Sequence, residues 1–215
     1  MEQTIYCISG LGADQRIFTN LHLTGYKLRH IQWIRPEKRE TMQAYALKMA
    51  GIIEEDNAVL IGVSFGGMMG IEIAKLKPLR KLILVSSIKS VAELPYWMKL
   101  SGKLKLNKII PVRPLRAMEK IANDRLGASN EEEKRIARAY RQAADPVYVE
   151  WAVNHVVNWK NNWQPDHIIH IHGDKDKMFP IKKITNSHII KDGTHFMIYN
   201  RAAEISEIIL QELKQ

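Results

Sequence analysis

A Gly-x-Ser-x-Gly segment constrains the fold more than any other part of the chain. Residues 62–67 read Gly-Val-Ser-Phe-Gly-Gly. The short apolar run at 57–61 is typical of a buried parallel strand. Residues 68–77 predict a helix that ends before Pro78. A strand, a sharp turn and a helix would hold Ser64 in a strained backbone conformation and lift its hydroxyl above the sheet.

The two flanking glycines have a structural reason to be there. Gly62 and Gly66 leave room where the strand and the helix approach each other, and a Cβ atom would clash in that space. The pattern alone also fits a glycine-rich strand-to-helix turn with an idle serine. The predicted strand before it and the helix after it favour the functional interpretation.

Length and composition indicate a globular chain with one core. The chain has 215 residues, of which 46% are apolar. No apolar run approaches the roughly 20 residues that span a membrane, and the N-terminus does not read as a signal peptide. Cys7 is the only cysteine, which excludes an internal disulfide and fits a reducing compartment. We therefore expect a cytoplasmic protein with a buried thiol at Cys7.

The positive charge of the chain is concentrated in one region. The net charge is +9, and residues 88–165 carry fourteen Lys or Arg against eight Asp or Glu. Such an excess suits nucleic acid, anionic lipid or an acidic carrier protein. Acids such as those at 131–133 interrupt the bases, which favours a solvated helical surface. No aromatic-basic motif for nucleic acid is present, so we expect no nucleic-acid partner, and an acidic carrier protein stays open.

Strands and helices alternate along most of the chain, which predicts an α/β fold with a doubly wound, mostly parallel sheet of about six strands. The segment 27–33 is mixed with polar residues, so we expect it at a sheet edge. Asp14 and Thr41 are predicted to cap the helices that follow them. The strands are predicted at 4–8, 27–33, 57–61, 81–85, 167–171 and 183–190.

The alternation stops between residues 88 and 165. This segment is helical in character and contains four of the five tryptophans. We interpret it as a helical lid inserted into a core formed by 1–87 and 166–215, over the carboxyl ends of the strands, where ligands bind in such sheets. Apolar residues from 148 to 159 recur at helical spacing. Packing between helices explains most of this stripe, and some of its rings would roof a ligand pocket.

Two loops that follow late strands could activate the serine. A serine hydroxyl is a poor nucleophile until a base, usually histidine, takes its proton while a carboxylate holds the other ring nitrogen. Asp176 follows the strand at 167–171, and His195 follows the last strand. The chain order is then Ser64, Asp176, His195, which is that of α/β-hydrolases.

The sequence resembles the α/β-hydrolase fold superfamily, of the serine esterase type with a helical lid. The resemblance covers nearly the whole chain. It rests on four segments: Ser9-Gly10-Leu11-Gly12, Gly62 to Gly67, Gly173-Asp174-Lys175-Asp176 with Pro180, and Gly193-Thr194-His195-Phe196.

The resemblance implies roles for particular residues. Asp176 would be the acid, with Asp174 as a remaining competitor, and His195 would be the base. The backbone N–H groups of Phe65 and Leu11 would form an oxyanion hole. No metal or organic cofactor would be needed.

The sequence departs from the family pattern in two places. Ser9 stands where the family usually has histidine, which alters the support of the oxyanion loop. The chain also begins almost at once with the strand that leads to Gly10, so we expect it to lack counterparts of the first two strands of the family. We therefore expect a minimal form of the fold with about six strands in place of eight.

These patterns predict a serine hydrolase that cleaves a small-molecule ester or thioester through an acyl-serine intermediate. Trp97 and Trp151 are candidate wall residues of the acyl pocket. An acyltransferase or a lyase could use the same scaffold, since a fold does not fix a function. A hydrolase-like protein that only binds a ligand is a further alternative.

Overall fold

A computed structural model describes residues 3–105 and 116–214, with the side chains of the second range described from residue 119. Six parallel strands of these residues form one sheet. They are β1 (Gln3–Ile8), β2 (Tyr26–Ile31), β3 (Ala58–Val63), β4 (Leu79–Val85), β5 (Ile168–Gly173) and β6 (His188–Ile190). Their order in the sheet is β2-β1-β3-β4-β5-β6. This confirms the predicted α/β class and its six parallel strands.

Helices cover both faces of this sheet. In the described ranges they are α1 (Met42–Ala50), α2 (Phe65–Ala74), α3 (Tyr96–Lys103), α4 (Arg116–Leu126), α5 (Glu131–Ala143), α6 (Pro146–Val157), α7 (Met197–Asn200) and α8 (Ala202–Glu212). Helices α1 and α2 pack on one face, and α8 packs on the other face with a short 3-10 helix, Gln15–Phe18.

Alternating side chains of the strands build two separate cores. In β1, Tyr6 and Ile8 join the core under α1 and α2, whereas Ile5 and Cys7 join the core under α8. The same alternation runs through β3 and β4, because successive side chains of a strand point to opposite faces. Cys7 is buried, as the sequence predicted, and burial raises the pKa of its thiol.

The predicted helix starts are confirmed. Thr41 Oγ1 accepts a hydrogen bond of 3.1 Å from the Ala44 N–H at the start of α1. The Asp14 carboxylate accepts one of 3.0 Å from the Arg16 N–H. Each cap satisfies a backbone donor that the first turn of a helix leaves without a partner.

The two edge strands differ in how well the sequence predicted them. The polar strand β2 lies at an edge, as expected. The last strand is shorter than the predicted 183–190, because only His188–Ile190 pairs with β5. The Glu93 carboxylate accepts the Thr185 N–H at 3.3 Å, so this donor bonds to a side chain in place of a strand partner.

Four helices, α3 to α6, lie between β4 and β5, which are neighbours in the sheet. Trp159 Nε1 donates to the buried Glu72 carboxylate of α2 at 2.8 Å. Trp151 Nε1 donates to the Glu40 carbonyl at 2.8 Å. These bonds tie the end of the inserted helices to the face formed by α1 and α2. Within the described ranges, no helix is both long and apolar enough to cross a bilayer.

Candidate active site

Ser64 occupies a strained turn at the carboxyl end of β3. Its φ is 53° and its ψ is −118°, a region that side-chain-bearing residues rarely adopt. The Ser64 N–H donates to the Val85 carbonyl at 3.0 Å. The Ser64 carbonyl accepts from Ser87 Oγ at 2.6 Å. Both bonds come from the end of β4 and its loop, so the neighbouring strand holds the serine backbone in place.

Close packing explains the glycines beside Ser64. A Cβ atom on Gly62 would lie 2.5 Å from the Gly66 carbonyl oxygen. A Cβ atom on Gly66 would collide with the carbonyl groups of Ile8 and Ser9 at the end of β1. The strand, the turn and the first turn of α2 therefore pack backbone against backbone, as the sequence predicted.

Two side chains from distant loops line up with Ser64. His195 Nε2 lies 2.9 Å from Ser64 Oγ, and His195 Nδ1 lies 2.8 Å from Asp176 Oδ2. A carboxylate only accepts hydrogen bonds, so the ring proton belongs on Nδ1. Nε2 is then free to accept from the serine hydroxyl. The structure brings together the three residues that the sequence predicted.

Asp176 is buried and held as an anion. Its Oδ1 accepts the N–H groups of Met178 and Phe179, each at 2.8 Å. Burial is the largest single influence and by itself raises the pKa of this carboxyl, but His195, His172 and the Phe179 N–H together outweigh it and lower the pKa. In the described part of the chain, Asp174, the competing acid, does not bond to His195.

Backbone contact fixes the acid loop against the histidine loop. A Cβ atom on Gly173 would collide with the Gly193 carbonyl. The Lys175 N–H donates to that carbonyl at 2.9 Å. Both glycines belong to the segments that the sequence singled out, and their contact sets the approach of Asp176 to His195.

Two backbone N–H groups lie beside the serine with no internal partner. In the described part of the chain, neither the Leu11 N–H nor the Phe65 N–H donates a hydrogen bond. Phe65 begins α2 directly after Ser64. Gly10 precedes Leu11, and a Cβ atom there would lie 3.4 Å from Ser64 Cβ. The strand order reverses between β1 and β3, so these groups flank the crevice where ligands bind in such sheets.

Sequence reasoning missed the support of the loop that carries Leu11. Trp33 Nε1 donates to Ser9 Oγ at 3.0 Å and lies 3.2 Å from the Gly10 carbonyl oxygen. Ser9 Oγ donates to the Ala13 carbonyl at 2.8 Å, across the loop. The Trp33 ring also stacks on Phe65, with centroids 5.2 Å apart. No motif marks Trp33, although the departure at Ser9 was a signal that this loop is held differently.

An apolar cavity of about 350 Å³ opens at Ser64 and His195. The carboxyl edge supplies Leu11, Phe65, Met178 and Phe179 to its walls. The core also supplies Gly10, Ala13, Ile17 and Val63. The remaining lining comes from all four inserted helices. It consists of Trp97, Met98 and Ser101 from α3, Leu126 from α4, Tyr140 from α5, and Val149, Glu150, Val153, Val156 and Val157 at and around α6.

The two tryptophans proposed as wall residues occupy different places. Trp97 lines the cavity and is 48% exposed, which puts it at the opening. Trp151 is not among the residues that line this cavity. Its ring packs on Tyr45, with centroids 4.3 Å apart, and its indole N–H donates to the Glu40 carbonyl on the α1 side.

Two neutral histidines lie behind the acid loop on β5. His170 donates through Nε2 to the Ser87 carbonyl at 3.1 Å, and His172 donates through Nε2 to the Phe179 carbonyl at 2.8 Å. Burial, then the neighbouring His172 and Lys89, lower the pKa of His170 to about 3. Among the described residues, no group of three His, Cys, Asp or Glu side chains is placed to hold a metal ion.

Comparison with known proteins identifies the fold. No protein-family model matches the sequence, and no curated protein resembles it in sequence. Solved structures do match. A thermophilic esterase from Thermogutta terrifontis superposes with a TM-score of 0.74 at 15% identity, covering 99% of this chain and 89% of the esterase. The N-acyl homoserine lactonase AidH, complexed with N-butanoyl homoserine, superposes with a TM-score of 0.72 at 18% identity, covering 100% and 89%.

A third match is a bromoperoxidase from Bacillus anthracis, with a TM-score of 0.69 at 16% identity, covering 100% of this chain and 93% of the bromoperoxidase. Identities this low identify architecture and leave activity open. All three proteins are α/β-hydrolases in fold, and each superposes over nearly the whole of this chain. The chain therefore has the α/β-hydrolase fold, in a form whose described sheet has six parallel strands.

Proposed function

We propose that this protein is a serine hydrolase that cleaves a small-molecule carboxylic ester or thioester through an acyl-Ser64 intermediate. The observation that carries the proposal is the hydrogen-bonded line from Asp176 through His195 to Ser64 Oγ, at the end of an apolar cavity. Nucleophile, base and orienting acid stand within hydrogen-bond reach of one another, which is the arrangement that nucleophilic catalysis by serine requires.

The first half of the reaction transfers the acyl group to the enzyme. Ser64 Oγ attacks the carbonyl carbon while His195 Nε2 takes the hydroxyl proton. The buried carboxylate of Asp176 stabilises the imidazolium that forms and holds the ring in the correct tautomer. The protonated His195 then gives its proton to the departing alcohol or thiol.

Charge on the substrate oxygen needs donors that are already in place. The Leu11 and Phe65 N–H groups flank Ser64 without internal partners, so we assign them to the oxyanion hole. The Phe65 N–H also lies at the N-terminus of α2, where the helix dipole favours negative charge. In the second half of the reaction, His195 activates a water molecule that attacks the acyl carbon and releases the acid.

The cavity supports an acyl group with an apolar chain. Its lining is mostly aliphatic and aromatic, and Glu150 is the one charged side chain that the described inserted helices add to it. We propose that residues 88–165 act as a lid that shapes this pocket over the core of 1–87 and 166–215. The lactonase with the same fold was crystallised with N-acyl homoserine compounds, which also join an acyl chain to a polar group.

Backbone strain argues against a protein that only binds a ligand. Holding Ser64 at φ 53° costs on the order of 1–3 kcal/mol, and such strain persists where the surrounding structure imposes it. A binding scaffold gains nothing from aiming a serine hydroxyl at a histidine that is in turn held by a buried carboxylate.

Covalent labelling tests the proposal directly. A fluorophosphonate should modify the wild-type protein stoichiometrically at Ser64, and Ser64→Ala should not label. Ser101→Ala is the matched control, because it removes a serine of the same cavity, whereas His195 bonds to Ser64 and Asp176. Equal labelling of wild type and Ser64→Ala, or a wild type that does not react with a small probe, would contradict the proposal.

A further inference from the structure

Helix α3 presents an apolar stripe to solvent next to the opening of the cavity. Tyr96, Leu100 and Leu104 recur at intervals of four residues, so they lie on one face, and Trp97 borders it. Tyr96 is 72% exposed, Leu104 is 55% exposed, Trp97 is 48% exposed and Leu100 is 38% exposed. Single exposed apolar residues are normal, but a stripe along a whole helix marks an interaction surface.

The opposite face of α3 is already used for packing. Met98 and Gly102 are buried. A Cβ atom on Gly102 would lie 2.5 Å from the Val157 carbonyl oxygen, so α3 rests closely on the end of α6. The exposed stripe is therefore the outer face of a helix that the fold holds firmly in position.

Positive charge flanks this stripe. Lys99 and Lys103 lie on one side of it and Lys105 follows the helix, and the segment 96–105 contains no acid. Among the described residues, none of these lysines forms an ion pair. On the side of α4, the Arg125 guanidinium lies 5.5 Å from the centroid of the Trp97 ring. The surface combines aromatic and aliphatic side chains with several cations.

We propose that α3 docks on an anionic lipid surface. Helices that lie in the interface of a bilayer combine Trp, Tyr and Leu with lysines in this way, since the rings and leucines enter the headgroup region while the lysines meet anionic lipids. A second copy of the chain fits less well, because a two-fold contact would place the lysines of the two copies opposite each other. An acidic protein would pair with the lysines but would also need a groove for the stripe.

Docking would give the proposed hydrolase its substrate from the lipid phase. Trp97 borders the stripe and also lines the cavity, so the opening of the cavity lies beside the docked face. The inferred substrate class is then an ester that partitions into a membrane. This step rests on the proposed function, whereas docking itself does not.

Vesicle sedimentation with the full chain tests docking. Vesicles of phosphatidylcholine with roughly 30% phosphatidylglycerol should carry the protein into the pellet, and pure phosphatidylcholine should carry much less. Roughly 0.5 M sodium chloride should weaken binding to the anionic vesicles, because it shortens the screening length to ~4 Å. A protein that stays in the supernatant with both vesicles, or binds both equally, overturns the proposal.

Variants locate the binding face. Leu100→Ser with Leu104→Ser should weaken vesicle binding about tenfold or more, and neither side chain lines the cavity. The matched control, Leu47→Ser with Leu76→Ser, removes two leucines exposed elsewhere and should bind as wild type. Lys99→Gln with Lys103→Gln should weaken binding about fivefold for each lysine. Unchanged binding in the Leu100/Leu104 variant excludes this face.

Two further measurements separate the alternatives. Ser64→Ala should bind vesicles as well as wild type. A wild-type protein that binds vesicles but is not labelled by a fluorophosphonate contradicts only the proposed function. Labelling without vesicle binding contradicts only the docking proposal. Light scattering without lipid should show the same mass for wild type and the Leu100/Leu104 variant. A wild-type dimer that this variant makes monomeric would assign the stripe to a second copy.

Discussion

The loops at the carboxyl edge of the sheet and the inserted helices above them are built in different ways. At the edge, Gly62 meets Gly66 and Gly173 meets Gly193, so backbone packs on backbone. In the inserted helices, contact with the cavity is made by side chains such as Trp97 and Val153. A reacting group needs a fixed position, which backbone contact provides, whereas a pocket wall needs shape and apolar surface, which many side chains can supply.

The largest predicted effect tests whether the loops at the carboxyl edge of the sheet supply the reacting groups. Asp176→Asn should lower kcat by about 10⁴-fold, as loss of the acid does in a well-studied serine protease, because His195 loses the carboxylate that orients it. Asp174→Asn is the control and should change kcat little. Ester hydrolysis by both variants, with folding checked by circular dichroism, measures this. If Asp174→Asn lowers kcat far more than Asp176→Asn does, Asp174 is the acid and the contact between Asp176 and His195 is not the functional one.

The second prediction tests whether the inserted helices set specificity. Trp97→Ala should change the preference among acyl chain lengths by roughly 10- to 100-fold, since pocket contacts are worth about 1–3 kcal/mol per methylene-sized change. An acetyl ester should react almost as before. Trp151→Ala is the matched variant and should lower stability while leaving the profile of kcat/KM against chain length unchanged. If the profile of kcat/KM against chain length is unchanged in both variants, Trp97 does not shape the acyl pocket.

The third prediction concerns the stability of the edge at low pH. His170 has a pKa of about 3 in the folded protein, against about 6.5 for an ordinary histidine. Between these values the unfolded chain binds the proton and the folded protein does not. Stability is therefore fully present above pH 6.5 and falls by about 1.4 kcal/mol for each pH unit below it.

His170→Gln should reduce this loss, because an amide can still donate to the Ser87 carbonyl but does not titrate. The free energy of unfolding in urea should fall about 2 kcal/mol less between pH 7.5 and pH 5 than it does in wild type. His22→Gln, at an exposed position, serves as control. If wild type and His170→Gln lose stability in parallel, His170 is protonated in the folded protein and the expectation is wrong.

The smallest predicted effect concerns the hydrogen bonds from Trp33 to the loop that carries Leu11. Trp33→Phe keeps the ring stacked on Phe65 but removes the N–H that bonds to Ser9 and Gly10. A hydrogen bond of this kind is worth about 0.5–1.5 kcal/mol, so kcat should fall roughly two- to tenfold with KM unchanged. Ser9→Ala should act through the same contact, and the double variant should lose less than the sum of the two.

Trp163→Phe is the control for that experiment, since Trp163 is exposed and lies outside the loop. A lower free energy of unfolding with kcat unchanged would make Trp33 a packing residue only. That outcome would also sharpen the contrast between the two regions, because the edge would then keep its geometry through backbone contacts alone.

The sequence alone determined the class of fold and the candidate reacting groups. Turn glycines, buried strands and a serine at a strand-to-helix turn are local features, and each leaves a short readable pattern. Ser64, Asp176 and His195 could be named in this way because parallel strands bring the loops after them to one edge of the sheet. The polar pattern of β2 likewise predicted its place at the edge.

Only the tertiary structure decided which side chains surround these groups. Trp97 and Trp151 have similar local sequence signals, yet one lines the cavity and the other bonds to the Glu40 carbonyl. The last strand pairs only over His188–Ile190, and the Thr185 N–H, which the sequence placed in that strand, bonds to Glu93, 92 residues away in the chain. Trp33 supports a loop 23 residues before it. Such contacts depend on how helices and loops pack across long separations, and packing of this kind leaves no period or motif in the sequence.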